Sequence, residues 1–168
     1  MSQLPLVLSY FFHLIATVVW IGGLVTLTLF VWPETRRVLE HNPAWFSLLT
    51  RIRKRFAPLT NFSLVVLVMT GFIQMSFDPN YDGTLTFDNE WSKVMLLKHL
   101  AIVGMVLCGL VLQYAVTPAL ERATMQLERG KGDPAEWERL RRREVRLTWL
   151  NVALGIAVLG FTAWATAL

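Results

Sequence analysis

Two histidines, His13 and His99, sit inside long apolar stretches of this chain. An ionisable side chain at such a place is costly to bury and marks a site by default. Neutral imidazole is the commonest metal ligand among side chains. Met95 precedes His99 by one helical turn, so a thioether and an imidazole would fall on one face. Imidazole with thioether sulfur is a soft donor set that favours Cu(I), and Met75 would add a second sulfur. The same two histidines suit a second chemistry, bis-imidazole ligation of a b-type haem, with Trp20, Phe12 and the glycines at 22 and 23 shaping a flat slot. Lys98, beside His99, either snorkels outward along its stem or pairs with an anion such as a haem propionate or a substrate carboxylate. The bland alternative is two unrelated histidines hydrogen-bonded inside a helix bundle. The candidates are therefore His13, His99 and Met95 for a metal, and His13, His99, Lys98 and Trp20 for a cofactor. No catalytic residue is assigned, and the reading leans away from an enzyme. His41 lies in a polar segment and cannot join the pair.

These residues are positioned by four apolar stretches, at residues 4–32, 59–77, 93–117 and 148–168. Each has the ~20 residues that a helix needs to cross about 30 Å of hydrocarbon. The composition agrees, with 54% hydrophobic residues and a mean hydropathy of +0.46. The first stretch lacks the basic start and the small-residue cleavage site of a secretory signal, so it reads as a span. A lone cysteine, Cys108, excludes an intrachain disulfide and reads as a small buried hydrophobe.

Charge then orients the spans. Fourteen of the sixteen basic residues fall in two segments, 33–58 and 118–147, while residues 78–92 carry Asp78, Asp82, Asp88 and Glu90 and no base before Lys93. The positive-inside rule puts the basic segments in the cytoplasm and the acidic one outside, in the periplasm of a bacterium. The expected architecture is an all-α, up-down bundle of four transmembrane helices in the inner membrane, one domain over 1–168, with both termini outside. At 1.5 Å per residue, His13 is then roughly 13 Å deep and His99 roughly 10 Å deep in the outer half. Confinement of the charge to the flanks of spans also argues against nucleic acid as a partner. The partners expected are the lipid bilayer and, further, a larger membrane complex or a periplasmic metal or electron donor.

The connecting segments carry their own signals. Asn42-Pro43 predicts the start of a short basic helix, apolar on the side of Ala44, Trp45, Phe46, Leu48, Leu49 and Ile52, that ends before Pro58. Gly130-Lys131-Gly132 predicts a break, and Asp133-Pro134-Ala135-Glu136 a capped start for a helix running into the fourth span. The arginines of 139–146 read as a topology determinant and solvated face, with anionic lipid or a partner as the alternative. Helical spacing gives each span one polar or small stripe: Ser9, His13, Thr17 and Trp20; Ser63, Thr70 and Gln74; Met95, His99, Val106 and Gln113; Asn151, Gly155, Thr162 and Thr166. At their Ser, Thr, Gly and Asn positions such stripes are expected to be packing faces, while His13 and His99 are read as site candidates.

The stretch from His13 to Gly23, His-Leu-Ile-Ala-Thr-Val-Val-Trp-Ile-Gly-Gly, resembles the first-helix signature of CopD-type membrane proteins. Thr70-Gly71, Trp91-x-Lys93 and Leu97-Lys98-His99-Leu100 are similar to the same family. The resemblance implies a role in copper tolerance and copper passage across the inner membrane, with His13, His99 and Met95 as copper-contacting positions. Full-length CopD proteins carry further helices. A weaker similarity is to HemJ, the membrane protoporphyrinogen oxidase, whose first-helix His and third-helix Lys match His13 and Lys98; this implies haem. Leu29-Phe30-Val31-Trp32-Pro33 stands where HemJ has an arginine- and tyrosine-rich exit. Copper is the leading cofactor and haem b the alternative, with an accessory subunit of a larger complex as a third role.

Overall fold

A computed structural model describes residues 4–38, 44–81 and 89–168. Among these, every regular element is helical. We number four helices: α1, residues 4–38; α2, Ala44–Ser76; α3, Glu90–Glu128; and α4, Pro134–Ala167. Each is long and apolar enough to cross a membrane, and only 11–22% of each spanning window is buried within the protein. The rest is apolar surface for which lipid is the solvent, so backbone hydrogen bonding inside each helix is obligatory.

The chain divides into two compact units, Met1–Thr86 and Phe87–Leu168. Each contains one antiparallel pair of helices. In the first unit the two helices meet through small residues. A Cβ built on Gly23 would stand 2.1 Å from Cζ of Phe56, so the ring of Phe56 occupies the notch that the missing side chain leaves. At the basic end of the pair, the Arg53 guanidinium lies 4.8 Å from the ring centroid of Trp32, a cation–π contact between α2 and α1. In the second unit a Cβ on Gly104 would lie 3.2 Å from Leu154, and the Trp137 indole donates to Thr124 at 3.0 Å. Between α3 and α4, Gly130 adopts φ +69°, its N–H bonding the Leu127 carbonyl and the next N–H that of Gln126, which closes α3 in a Schellman turn. Asp133 then accepts from the Ala135 N–H at 2.8 Å and Pro134 opens α4, as its sequence signals predict.

The basic segments differ from expectation. The helix that should end before Pro58 continues through it to Ser76. Proline forfeits one backbone bond, the one to the Lys54 carbonyl, a loss that a long spanning helix tolerates. Residues 118–128, expected within a loop, are helical as well, and 134–147 are helical as the signals at Asp133-Pro134 predict. The predicted start at Asn42-Pro43 lies outside the described residues, as do Asp82, Asp88 and His41.

Both odd-numbered helices contain wide π turns, at Val18–Gly22 and Leu27–Val31 in α1 and at Leu112–Val116 in α3. Two of these have a cause in the sequence. Pro33 and Pro118 each crowd the carbonyl four residues back and cannot donate to it. The residue before each proline, Trp32 or Thr117, instead bonds the carbonyl five residues back, Leu27 or Leu112. The offset that takes Pro33 to Pro118 also takes Ser9, His13, Ala16 and Trp20 onto Val94, Lys98, Ala101 and Met105. Except for His13 and Lys98, which are half-buried, all of these are buried. Both units are built to one plan.

The predicted stripes fare unequally. Ser9 and Trp20 on α1, Ser63 and Thr70 on α2, and Asn151 and Gly155 on α4 are buried, as packing faces should be. On α3 the buried face is Trp91, Val94, Ala101, Met105 and Cys108. His99 is exposed, roughly 100° round the helix from Lys98 on that face.

Candidate functional site

His13 is held between α1 and α2. Its Nδ1 lies 2.8 Å from the Thr70 hydroxyl, and Ser9, one turn before it, donates to the Thr70 carbonyl at 3.2 Å. The hydroxyl of Thr70 is 2.6 Å from the Val66 carbonyl. A hydroxyl has one proton, and a carbonyl can only accept. That proton is committed to Val66, so the hydroxyl receives its bond from His13 and Nδ1 carries the hydrogen. Nε2 is then the basic ring nitrogen, the one that accepts a hydrogen bond or ligates a metal. Gly71 allows the imidazole to lie against α2, since even a Cβ there would be 3.9 Å from Cε1 of His13.

His99 reaches the same tautomer by another route. Its Nδ1 is 2.6 Å from the backbone carbonyl of Met95, which can only accept. Nδ1–H therefore donates, and Nε2 is again the basic nitrogen. Anchoring of one ring nitrogen on an oxygen acceptor is the arrangement that fixes a ligating histidine's tautomer and orientation. Met95, half-buried, supplies the carbonyl and carries its thioether on the same turn.

The remaining candidates are placed as follows. Trp20 is buried in the α1 packing face. Lys98 is half-buried on the packed face of α3 and makes no hydrogen bond or ion pair among the described residues. Of the groups expected to shape a flat slot, Phe12 points outward against Phe11 and the Gly23 notch holds the Phe56 ring. Met75, near the end of α2, is half-buried. Cys108 is buried, as its apolar setting predicts. Among the described residues, no three His, Cys, Asp or Glu side chains gather into a metal cluster. His13 and His99 belong to different units.

Two residues escaped the sequence reading. Thr70 was visible as a member of a polar stripe and of the Thr70-Gly71 resemblance, but not as the partner that sets the tautomer of His13. Glu144 is 1% exposed and pairs with the buried Arg141 at 2.5 Å, a lone acid within an arginine run. Its sign against that run was the available signal.

Comparisons with known proteins agree with this architecture. Curated proteins and solved structures give no match to the chain. The family model for copper resistance protein D, CopD, matches residues 50–165. That region takes in Thr70, Met95, Lys98 and His99, while α1 with His13, Trp20 and Gly23 precedes it. Since the match covers about two-thirds of an all-helical chain with four membrane-crossing helices, this integral membrane protein belongs to the copper resistance protein D family.

Proposed function

We propose that the protein handles copper as Cu(I) within the membrane, with His13 on α1 and His99 with Met95 on α3 as the copper-contacting positions. The observation that carries this is the shared anchoring: both imidazoles set Nδ1 against an oxygen, at 2.8 and 2.6 Å, from which Nε2 is inferred to be the basic nitrogen. The donor chemistry fits the ion. Imidazole nitrogen and thioether sulfur are soft, neutral ligands suited to Cu(I). With neutral ligands, bound Cu(I) leaves one net charge in a poorly solvated region and Cu(II) would leave two, so the setting favours the reduced ion.

We further place the basic ends of the helices in the cytoplasm and the histidine-bearing ends toward the outside, on the strength of the charge distribution. A cysteine introduced as Asn80→Cys, in the turn after α2, should react with an impermeant thiol reagent from outside intact cells. Reaction only after lysis would reverse the orientation.

The function is tested on detergent-purified protein titrated anaerobically with Cu(I) against a chromogenic chelator. Stoichiometric binding should weaken in His13→Ala, in His99→Ala and in Met95→Leu. Wild-type affinity in a His13→Ala/His99→Ala double variant would sink the reading. A Soret band in the purified protein, lost in the same variants, would replace copper with haem.

A further inference from the structure

The geometry of α4 points to a second ligand site, unrelated to copper: we propose that Arg143 and Arg146 bind the phosphate of an anionic phospholipid at the basic end of the helix. α4 is one unbroken helix from Pro134 to Ala167, so a face can be followed along it from water into hydrocarbon. One arc carries Arg141, Glu144, Thr148, Asn151, Val152 and Gly155, all buried. The opposite arc carries Arg139, Arg142, Arg143 and Arg146 and then Trp149 and Leu150, all exposed. These positions advance by three and four residues, the spacing of one helix face.

The apolar part of that arc begins at Trp149, which is 52% exposed, and the helix from there to Ala167 is about one hydrocarbon thickness long. Indole rings settle at the boundary between acyl chains and headgroups. With Trp149 at that boundary, Arg146 stands ~4.5 Å and Arg143 ~9 Å beyond it by helical rise. The headgroup layer is roughly 5–7 Å deep on each side, so Arg146 stands within it and Arg143, just beyond it, reaches back along its flexible stem. A side of the helix that faces acyl chains at Leu150 must face the headgroups of the same leaflet one turn later. Arg142 is engaged by Glu138 at 2.9 Å, whereas Arg143 and Arg146 have no carboxylate partner among the described residues. Two guanidinium groups a helical turn apart present forked donors that match phosphate oxygens.

The test is native mass spectrometry of the delipidated full chain titrated with phosphatidylglycerol or with phosphatidylcholine of the same acyl length. Each arginine near an anionic surface is worth on the order of fivefold in binding, so the pair should favour phosphatidylglycerol by about ten- to thirtyfold at low salt. Arg143→Gln/Arg146→Gln should abolish the preference, and Arg129→Gln/Lys131→Gln, beyond the headgroup layer, should leave it intact. Equal retention of the two lipids by the wild type would overturn the proposal, as would a loss shared by both double variants. Displacement of phosphatidylglycerol by an equal amount of inorganic phosphate would also overturn it, because the site would then read free anion and not lipid.

Discussion

Thr70→Val is the substitution that isolates the proposed copper chemistry from the fold. Valine keeps the shape of threonine and removes the hydroxyl, while the backbone carbonyl of Thr70 continues to accept from Ser9. What is lost is the acceptor 2.8 Å from Nδ1 of His13. The magnitude can be reached in two ways. A buried donor left without its partner costs about 1–3 kcal/mol. At 1.4 kcal/mol per tenfold, that is roughly a five- to hundredfold loss in affinity if the imidazole must be re-ordered to bind. Loss of a group that orients a metal-ligating histidine independently costs about 10–100-fold. The two agree, and Thr70→Val should weaken Cu(I) binding by about tenfold or more. Thr70→Ser, which restores a hydroxyl, should stay within a few-fold of wild type. The assay is anaerobic chelator competition, with ¹⁵N spectra of the His13 ring as a second readout. The wild-type spectrum should show protonation at Nδ1, and Thr70→Val should show a mixture of tautomers. Wild-type affinity in Thr70→Val, with His13→Ala defective, would refute the positioning role. Wild-type binding in His13→Ala would remove His13 from the site altogether.

Two further outcomes follow from packing. A methyl group at Gly23 would lie 2.1 and 2.6 Å from two ring carbons of Phe56, against the 3.5–4.0 Å of carbon contact, so the ring must retreat. Gly23→Ala should cost about 1–3 kcal/mol in a detergent unfolding titration, and Phe56→Leu in the same chain should restore much of it. Gly22→Ala, whose methyl would meet only Val18 at 3.9 Å, should be near neutral, and a neutral Gly23→Ala would refute the notch. Glu144→Leu removes the carboxylate paired with the guanidinium of Arg141, itself 9% exposed, and should cost about 3–5 kcal/mol. Arg141→Leu/Glu144→Leu should recover most of that loss; an equal loss in both would mean that the pair contributes packing and not charge compensation.

Position along each helix was legible in the sequence, and direction around it was not. Hydropathy and charge report depth, and the four spans with their basic flanks were found where the helices lie. Direction requires contrast between faces. A span that is apolar all round offers only its few polar residues as contrast, and on α3 these marked the wrong side: packing there is by Trp91, Val94, Ala101, Met105 and Cys108, chosen for size and shape. On α1 the polar and packed faces coincide, so the stripe that holds Ser9 and Trp20 is also the buried one. Charge also misled where it was taken for loop. Residues 118–128 are charged because they lie beyond the hydrocarbon, and helical because Leu120 and Ala123 are buried between paired helices. The π turns had a signal in Pro33 and Pro118, but a proline is compatible with a kink, an end or a widened turn, and spacing alone does not choose.

Depth and face give different answers for the two histidines. The depths expected from helical rise are similar. By face, the residue that stands in the second unit where His13 stands in the first is Lys98, and His99 is the next residue, turned outward. Two units built to one plan therefore differ in chemistry on their packed faces: the first carries an imidazole and the second a lysine amine. The anchors differ too. His13 is fixed by a hydroxyl on another helix, and His99 by a carbonyl of its own. An imidazole held from a neighbouring helix and half-buried gives up less freedom on binding an ion than an exposed one tied only to its own turn. His13→Ala should therefore cost more Cu(I) affinity than His99→Ala. The reverse order would show that the exposed Met95/His99 turn is the principal ligand set and that His13 serves mainly to join α1 to α2 through Thr70.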